Sequence, residues 1–171
     1  MGELIKRSDK KMFYGIPGTA GDATFNRMHY FTELSTSKNP AEYSRQYVDE
    51  AMERTDVTGY SPSISFSFDD YAGDSVLEDI VSIINEKKLG TDAQRDLILV
   101  DFSKEVDGGY YAVKRTFAVI ADSEGGDAEA YTYSGNFKVT GAPITGIAKI
   151  STPADGDSDS VETITFEEET A

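Results

Sequence analysis

Period-two alternation runs through most of this chain, and a helical period occurs in one stretch only. Ser61 to Phe68 is the clearest case: Ile64, Phe66 and Phe68 fall on one face, Ser63, Ser65 and Ser67 on the other. Such a pattern is a strand buried on one side. Asn26 to Thr36 also alternates, setting Met28, Tyr30, Thr32 and Leu34 against Arg27, His29, Phe31 and Glu33, until Asn39-Pro40 breaks it. Glu42 to Asp49 alternates again, and the charged stretch Asp49 to Asp56 joins it to the next strand. Asp96 to Phe102 is apolar on both faces near its centre and reads as an internal strand. Asp107-Gly108-Gly109 turns it into Tyr110 to Ala121, a hairpin. Ala128 to Thr140, Ile144 to Ser151 and Val161 to Phe166 bring the count to about eight strands.

Asp74 to Lys88 is the helix. At about 100° per residue, Val76, Leu77, Ile80, Val81, Ile83 and Ile84 share one arc, while Glu78, Asp79, Ser82, Asn85 and Glu86 fill the other. Val76, Leu77, Ile80, Ile83 and Ile84 are the expected core face. Ser75 with Glu78 reads as a capping box, and Gly90 as the terminator. Strand runs around a single helix imply a mainly β fold: two packed antiparallel sheets, sandwich or barrel, with one flanking α-helix. Residues 1–25 carry Gly15, Pro17, Gly18 and Gly21 and little periodicity, so they read as an N-terminal arm. Residues 26–151 read as a β-sandwich domain holding helix 74–89, and 152–171 as an acidic C-terminal arm.

Composition removes several function classes. The chain has 171 residues, enough for one domain that needs no covalent staple. It has no Cys, which excludes thiol catalysis, Cys-ligated metal and disulfides. With 16 Lys+Arg against 31 Asp+Glu the formal charge is −15, a surface that repels phosphate and disfavours specific nucleic-acid binding. No apolar run approaches the ~20 residues of a membrane span. The opening residues lack the apolar core of a signal peptide. The expectation is a protein that stays in the cytoplasm until assembly or release.

Candidate chemistry is sparse. His29 is the only His, so metal or triad chemistry there would have only carboxylates and hydroxyls as partners. Asp155, Asp157 and Asp159 have the alternate spacing of a calcium loop's opening. Ser160 and Phe166 stand where that loop needs Gly and Glu, so a solvated linker fits better. Asp69, Asp70 and Asp74 precede the helix, where carboxylates favour the N-terminal dipole. Residues 15–21, GIPGTAG, lack the Gly-Lys-Ser/Thr ending of a phosphate loop. No nucleophile–base pair stands out. The expectation is a non-enzyme without cofactor. Ten Tyr and nine Phe, mostly on or beside strands, suit subunit contact as well as strand propensity.

The stretch EYSRQYVDEAMERTDVTGYSPSISFSFDD (42–70), the helix DSVLEDIVSIINEKKLG (74–90), DLILVDF (96–102), YYAVKRTFAVIADSEG (110–125) and AYTYSGNFKVTGAPITGIAKI (130–150) follow one another in order. This layout resembles the major tail tube proteins of long-tailed, siphovirus-like bacteriophages and prophages of Gram-positive bacteria. The resemblance implies hexameric rings whose inner sheets join into one barrel and which stack into the conduit for genome ejection. It implies stacking through a long loop, Asp49 to Tyr60 here, and through terminal arms. Asp49, Glu50, Glu53, Arg54 and Asp56 are then inter-ring contact residues. The implied partners are further copies of the chain, the tape measure, the tail terminator and the baseplate. DNA passes through without specific binding. The implied location is the virion tail, assembled in the host cytoplasm, with no membrane association. Another β-rich virion component (tail completion, baseplate or capsid decoration) and a calcium- or carbohydrate-binding β-sandwich module are the rival readings.

Overall fold

Lys10–Pro17, inside the segment expected to be an arm, is a central strand buried on both faces. The structure, a computed structural model, describes residues 2–18, 23–151 and 162–169. It holds strands β1 (Lys10–Pro17), β2 (Ala23–Arg27), β3 (Phe31–Ser37), β4 (Pro40–Arg45), β5 (Arg54–Tyr60) and β6 (Ser63–Asp69) ahead of the helix α1 (Ser75–Asn85). Strands β7 (Gln94–Val106), β8 (Gly109–Gly126), β9 (Tyr131–Val139), β10 (Ile144–Ile150) and β11 (Thr163–Glu168) follow it. The fold is mainly β with one flanking helix, as the alternation implies.

A nine-stranded sheet runs β10-β11-β2-β1-β7-β8-β9-β6-β3, and β10 also pairs with β8. That second pairing closes β8, β7, β1, β2, β11 and β10 into a six-stranded barrel. The remainder, β8-β9-β6-β3, is an open sheet. Strand β8 belongs to both: Tyr110–Lys114 pairs with β10, and Phe117–Gly126 with β9. Asp107 and Gly108, both at positive φ, form the two-residue turn between β7 and β8.

Two cores lie on opposite sides of β1 and β7. Met12, Tyr14 and Leu97 join Ile64, Phe66, Phe68 and Phe137 beneath α1. Phe13, Ile98 and Val100 join Ala112, Ala148 and Ile164 inside the barrel. This explains why β1 shows no alternation: a strand covered on both faces reads as a continuous apolar run. The C-terminal arm is likewise only partly an arm, because β11 completes the barrel between β10 and β2.

Other boundaries shift for local reasons. Tyr30, at φ 66°, splits the strand expected over 26–36 into β2 and β3. Strand β5 is exposed on both faces, so no burial pattern marks it. Asp74, not Ser75, caps α1, accepting from the Val76 and Leu77 amides at 3.0 and 3.1 Å. The helix ends at Asn85, and Lys87 (φ 52°), ahead of Gly90, turns the chain away, with the Lys88 amide donating to the Ile83 carbonyl at 3.1 Å. Val76, Leu77, Ile80 and Ile83 are buried, while Ile84 packs half-buried against the same core.

Asp79 departs from its expected place on the solvent arc. It accepts from the Tyr14 hydroxyl at 2.5 Å and from Arg95 Nε at 2.8 Å, tying α1 to β1 and β7. Burial and the adjacent carboxylate push the Tyr14 phenol far above its ordinary range, so it remains a donor. Gly135 fits where a Cβ would lie 2.2 Å from the Ile120 carbonyl.

Ile80→Ala should lower unfolding free energy by about 3 kcal/mol, read from a denaturant midpoint with unchanged slope. Asp79→Asn should cost a similar amount, about 3 kcal/mol, because it leaves the buried Arg95 guanidinium without its counter-charge. A loss near the surface average, about 0.5 kcal/mol or less, would contradict the clamp.

Candidate functional site

The open sheet β8-β9-β6-β3 has a covered face and a bare one. Ile64, Phe66 and Phe68 point under α1, and Phe137 and Tyr133 of β9 join them. The opposite face follows from the register. One row holds Ser35, Ser65, Asn136 and Ile120; the next holds Glu33, Ser67, Ser134 and Ser123. Ser65 Oγ donates to Asn136 Oδ1 at 3.2 Å, and the Ser123 and Ser134 hydroxyls lie 2.6 Å apart. Among the described residues no helix covers this face; it is rich in serine, with Glu33 in one row and Lys138 in the row of Ser37 and Ser63.

The same sheet ends in two edges without a strand partner among the described residues. Strand β3 pairs only with β6. On the other side, β7 begins at Gln94 opposite Ala118, so β8 beyond Ala118 has β9 on one flank and no described strand on the other. The four strands alternate in direction, so the two edges are antiparallel to each other. Copies joined edge to edge would therefore continue an antiparallel ladder. Free edges of this length are a standing invitation to pairing.

Strands β4 and β5 form a separate two-stranded hairpin that projects from the far end of β3 and β6. At its base Asn39 Nδ2 donates to the Ser61 carbonyl and to Ser63 Oγ, each at 3.1 Å. Along it, Arg45 lies over the rings of Tyr43 and Tyr47, at 4.8 and 5.7 Å. A hairpin alone is marginal in water, so one held this far from a core suits docking onto something else. The Asp49–Tyr60 loop expected from sequence is thus a tip over 46–53 followed by β5. Asp49, Glu50 and Glu53 lie at the tip, with Arg54 and Asp56 on β5; Arg54 pairs with Glu50. The tip is also apolar: Val48 is fully exposed and Met52 is 78% exposed. A reading from charge alone misses these two.

Among the described residues, the remaining sequence candidates are not brought together at one place. His29 Nε2 lies 2.6 Å from Glu162 Oε2, a surface pair. Asp74 caps the helix, and the Asp69 and Asp70 amides extend the sheet toward the Tyr30 and Tyr131 carbonyls. Asp155, Asp157 and Asp159 fall outside the described residues. Among the described residues no group of three His, Cys, Asp or Glu is placed to hold a metal, and no helix is long and apolar enough to cross a membrane.

No protein-family model matches the chain, and no curated protein matches it. The fold has a solved counterpart. It is a chain of the SPP1 tail tube, determined by solid-state NMR and cryo-EM, matched over 83% of this chain and 78% of that one at a TM-score of 0.52. Sequence identity is 18%, so what the two share is the fold.

Replacing tip residues 46–53 with an Asn-Gly turn should leave the melting temperature within about 2 °C, since the hairpin supports neither core. A large drop on calorimetry would mean that the hairpin is part of the folding unit.

Proposed function

We propose that this protein is a structural subunit of a phage tail tube, of the long-tailed kind that infects Gram-positive bacteria. The observation that carries the reading is the open four-stranded sheet, with antiparallel free edges and one bare polar face. Joined edge β3 to edge β8, copies form a ring in which no edge remains exposed. Six copies per ring is the expected number. The serine-rich face then lines the channel, where Lys138 and Glu33 stand among small neutral side chains, so that a chain of charge −15 gives phosphate little to hold. DNA passes without specific binding. The hairpin, and whatever the terminal segments add, stack one ring on the next. The contacts beyond the chain itself are the tape measure, tail terminator and baseplate, met during assembly in the host cytoplasm before the tail enters the virion. The role needs no cofactor and no catalysis. The match to the SPP1 tail tube fold supports this reading.

Negative-stain electron microscopy of concentrated protein, beside light scattering of dilute protein, tests it. Uniform tubes or stacked rings are expected. Single rings that never stack would favour a completion, baseplate or decoration role. A monomer at every concentration, even with preformed tubes as seeds, would overturn the reading.

A further inference from the structure

The hairpin's acidic tip has a counterpart at the opposite end of the same subunit. An open cleft of about 480 Å³ lies where β1 and β2 meet the start of β3. Arg7, Lys10, Lys11, Arg27 and His29 line it, and none of its lining residues is a carboxylate. In a chain of charge −15 the four Arg and Lys side chains here are an unusual concentration of cations. Arg7 donates to the Lys10 and Leu34 carbonyls, at 2.7 and 3.2 Å, contacts that fix the guanidinium without cancelling its charge. Acidic groups do border the cleft: Asp101 lies 3.9 Å from Lys10 Nζ, and Glu162 pairs with His29. Tyr30 forms an apolar rim. Its positive φ throws the ring outward, where it stacks on Tyr71 at 4.1 Å with both rings half exposed.

The geometry points to this cleft as the acceptor for the hairpin tip of a second copy in the next ring, which rests on the tube-subunit reading. Three observations carry it. First, the charges match: Asp49 and Glu53 at the tip face a cation-lined cleft. Second, the apolar parts match, because Val48 and Met52 need cover and the Tyr30–Tyr71 pair offers a flat aromatic surface beside the cations. Third, the positions match. The hairpin leaves the C-terminal end of β3 and the cleft sits at its N-terminal end, about 20 Å apart along the strand. Donor and acceptor at opposite ends give a head-to-tail contact that repeats without closing, which is what stacking requires.

The chain has no Cys, so two introduced thiols report on this contact alone. Ala51→Cys marks the tip and Ser8→Cys the cleft wall. Oxidised under assembly conditions, the double variant should run as a disulfide ladder on a non-reducing gel, and each single variant no further than a dimer. Charge reversal gives a second readout. Arg7→Glu with Lys10→Glu should cut the sedimentable fraction about tenfold, and adding Asp49→Lys with Glu53→Lys should restore it. Sedimented tubes with no ladder would overturn the docking and leave the tube reading standing. No ladder and no tubes would overturn both.

Discussion

Burial of β1 and β7 on both faces is the constraint from which the rest of the architecture follows. Phe13 pairs with Ile98 toward the barrel interior, and Tyr14 pairs with Leu97 toward the helix. One two-stranded wall therefore serves two cores. The barrel core is the smaller of the two, and each core takes part of its wall from these strands. The Tyr14–Asp79–Arg95 clamp sits on the same wall, where it holds α1 in one orientation. A buried ion pair contributes little net stability, but it penalises every helix placement that would leave Arg95 unpaired. Fixing α1 in turn fixes which face of the open sheet is covered.

The bare face and the free edges are consequences of how β8 is used. Its 18 residues outrun the barrel, so the second half must find partners elsewhere. It takes β9, then β6, then β3, and the ladder stops there with no further strand. Closing the barrel thus leaves a four-stranded remainder open at both ends. A monomeric protein would blunt such edges with prolines, bulges or inward charges. Strand β3 has a bulge near Phe31 and Glu33 but otherwise runs regularly to Ser37, and Ile120 on the β8 edge is exposed and apolar. The edges are better suited to joining copies than to facing water.

Legibility in the sequence tracked one-sided burial. β6 and α1 were readable because each has one wet and one dry side, and the fold class followed from them. β1 was hidden because it is dry on both sides, and β5 because it is wet on both. Residues 49–56 were legible as a charged segment, but their hairpin was not, since pairing of β4 with β5 leaves no hydrophobic trace. Asp79 was misplaced for a different reason. It belongs to the polar arc by angle, and only Arg95, sixteen positions on, turns that arc inward. The free edges have no sequence signal at all, because an unpaired edge is a property of the ladder and not of any residue.

If the protein is the tube subunit proposed above, its acidity sets a conflict, since the charge that would keep DNA from sticking also repels its own copies. Segregation resolves it. The channel-facing rows are nearly neutral, the acids of the tip sit at one end of β3, and the cations of the cleft sit at the other. Opposite charges then meet only when subunits stack in one polarity. Had tip and cleft lain at the same end, two rings would pair face to face through a two-fold contact, and growth would stop there. Placing them at opposite ends makes each docked ring present a fresh acceptor. Ring closure and tube growth then draw on separate surfaces, backbone edges for the first and the hairpin for the second. On that reading, removing the hairpin should leave the ring intact, and blocking an edge should abolish ring and tube together.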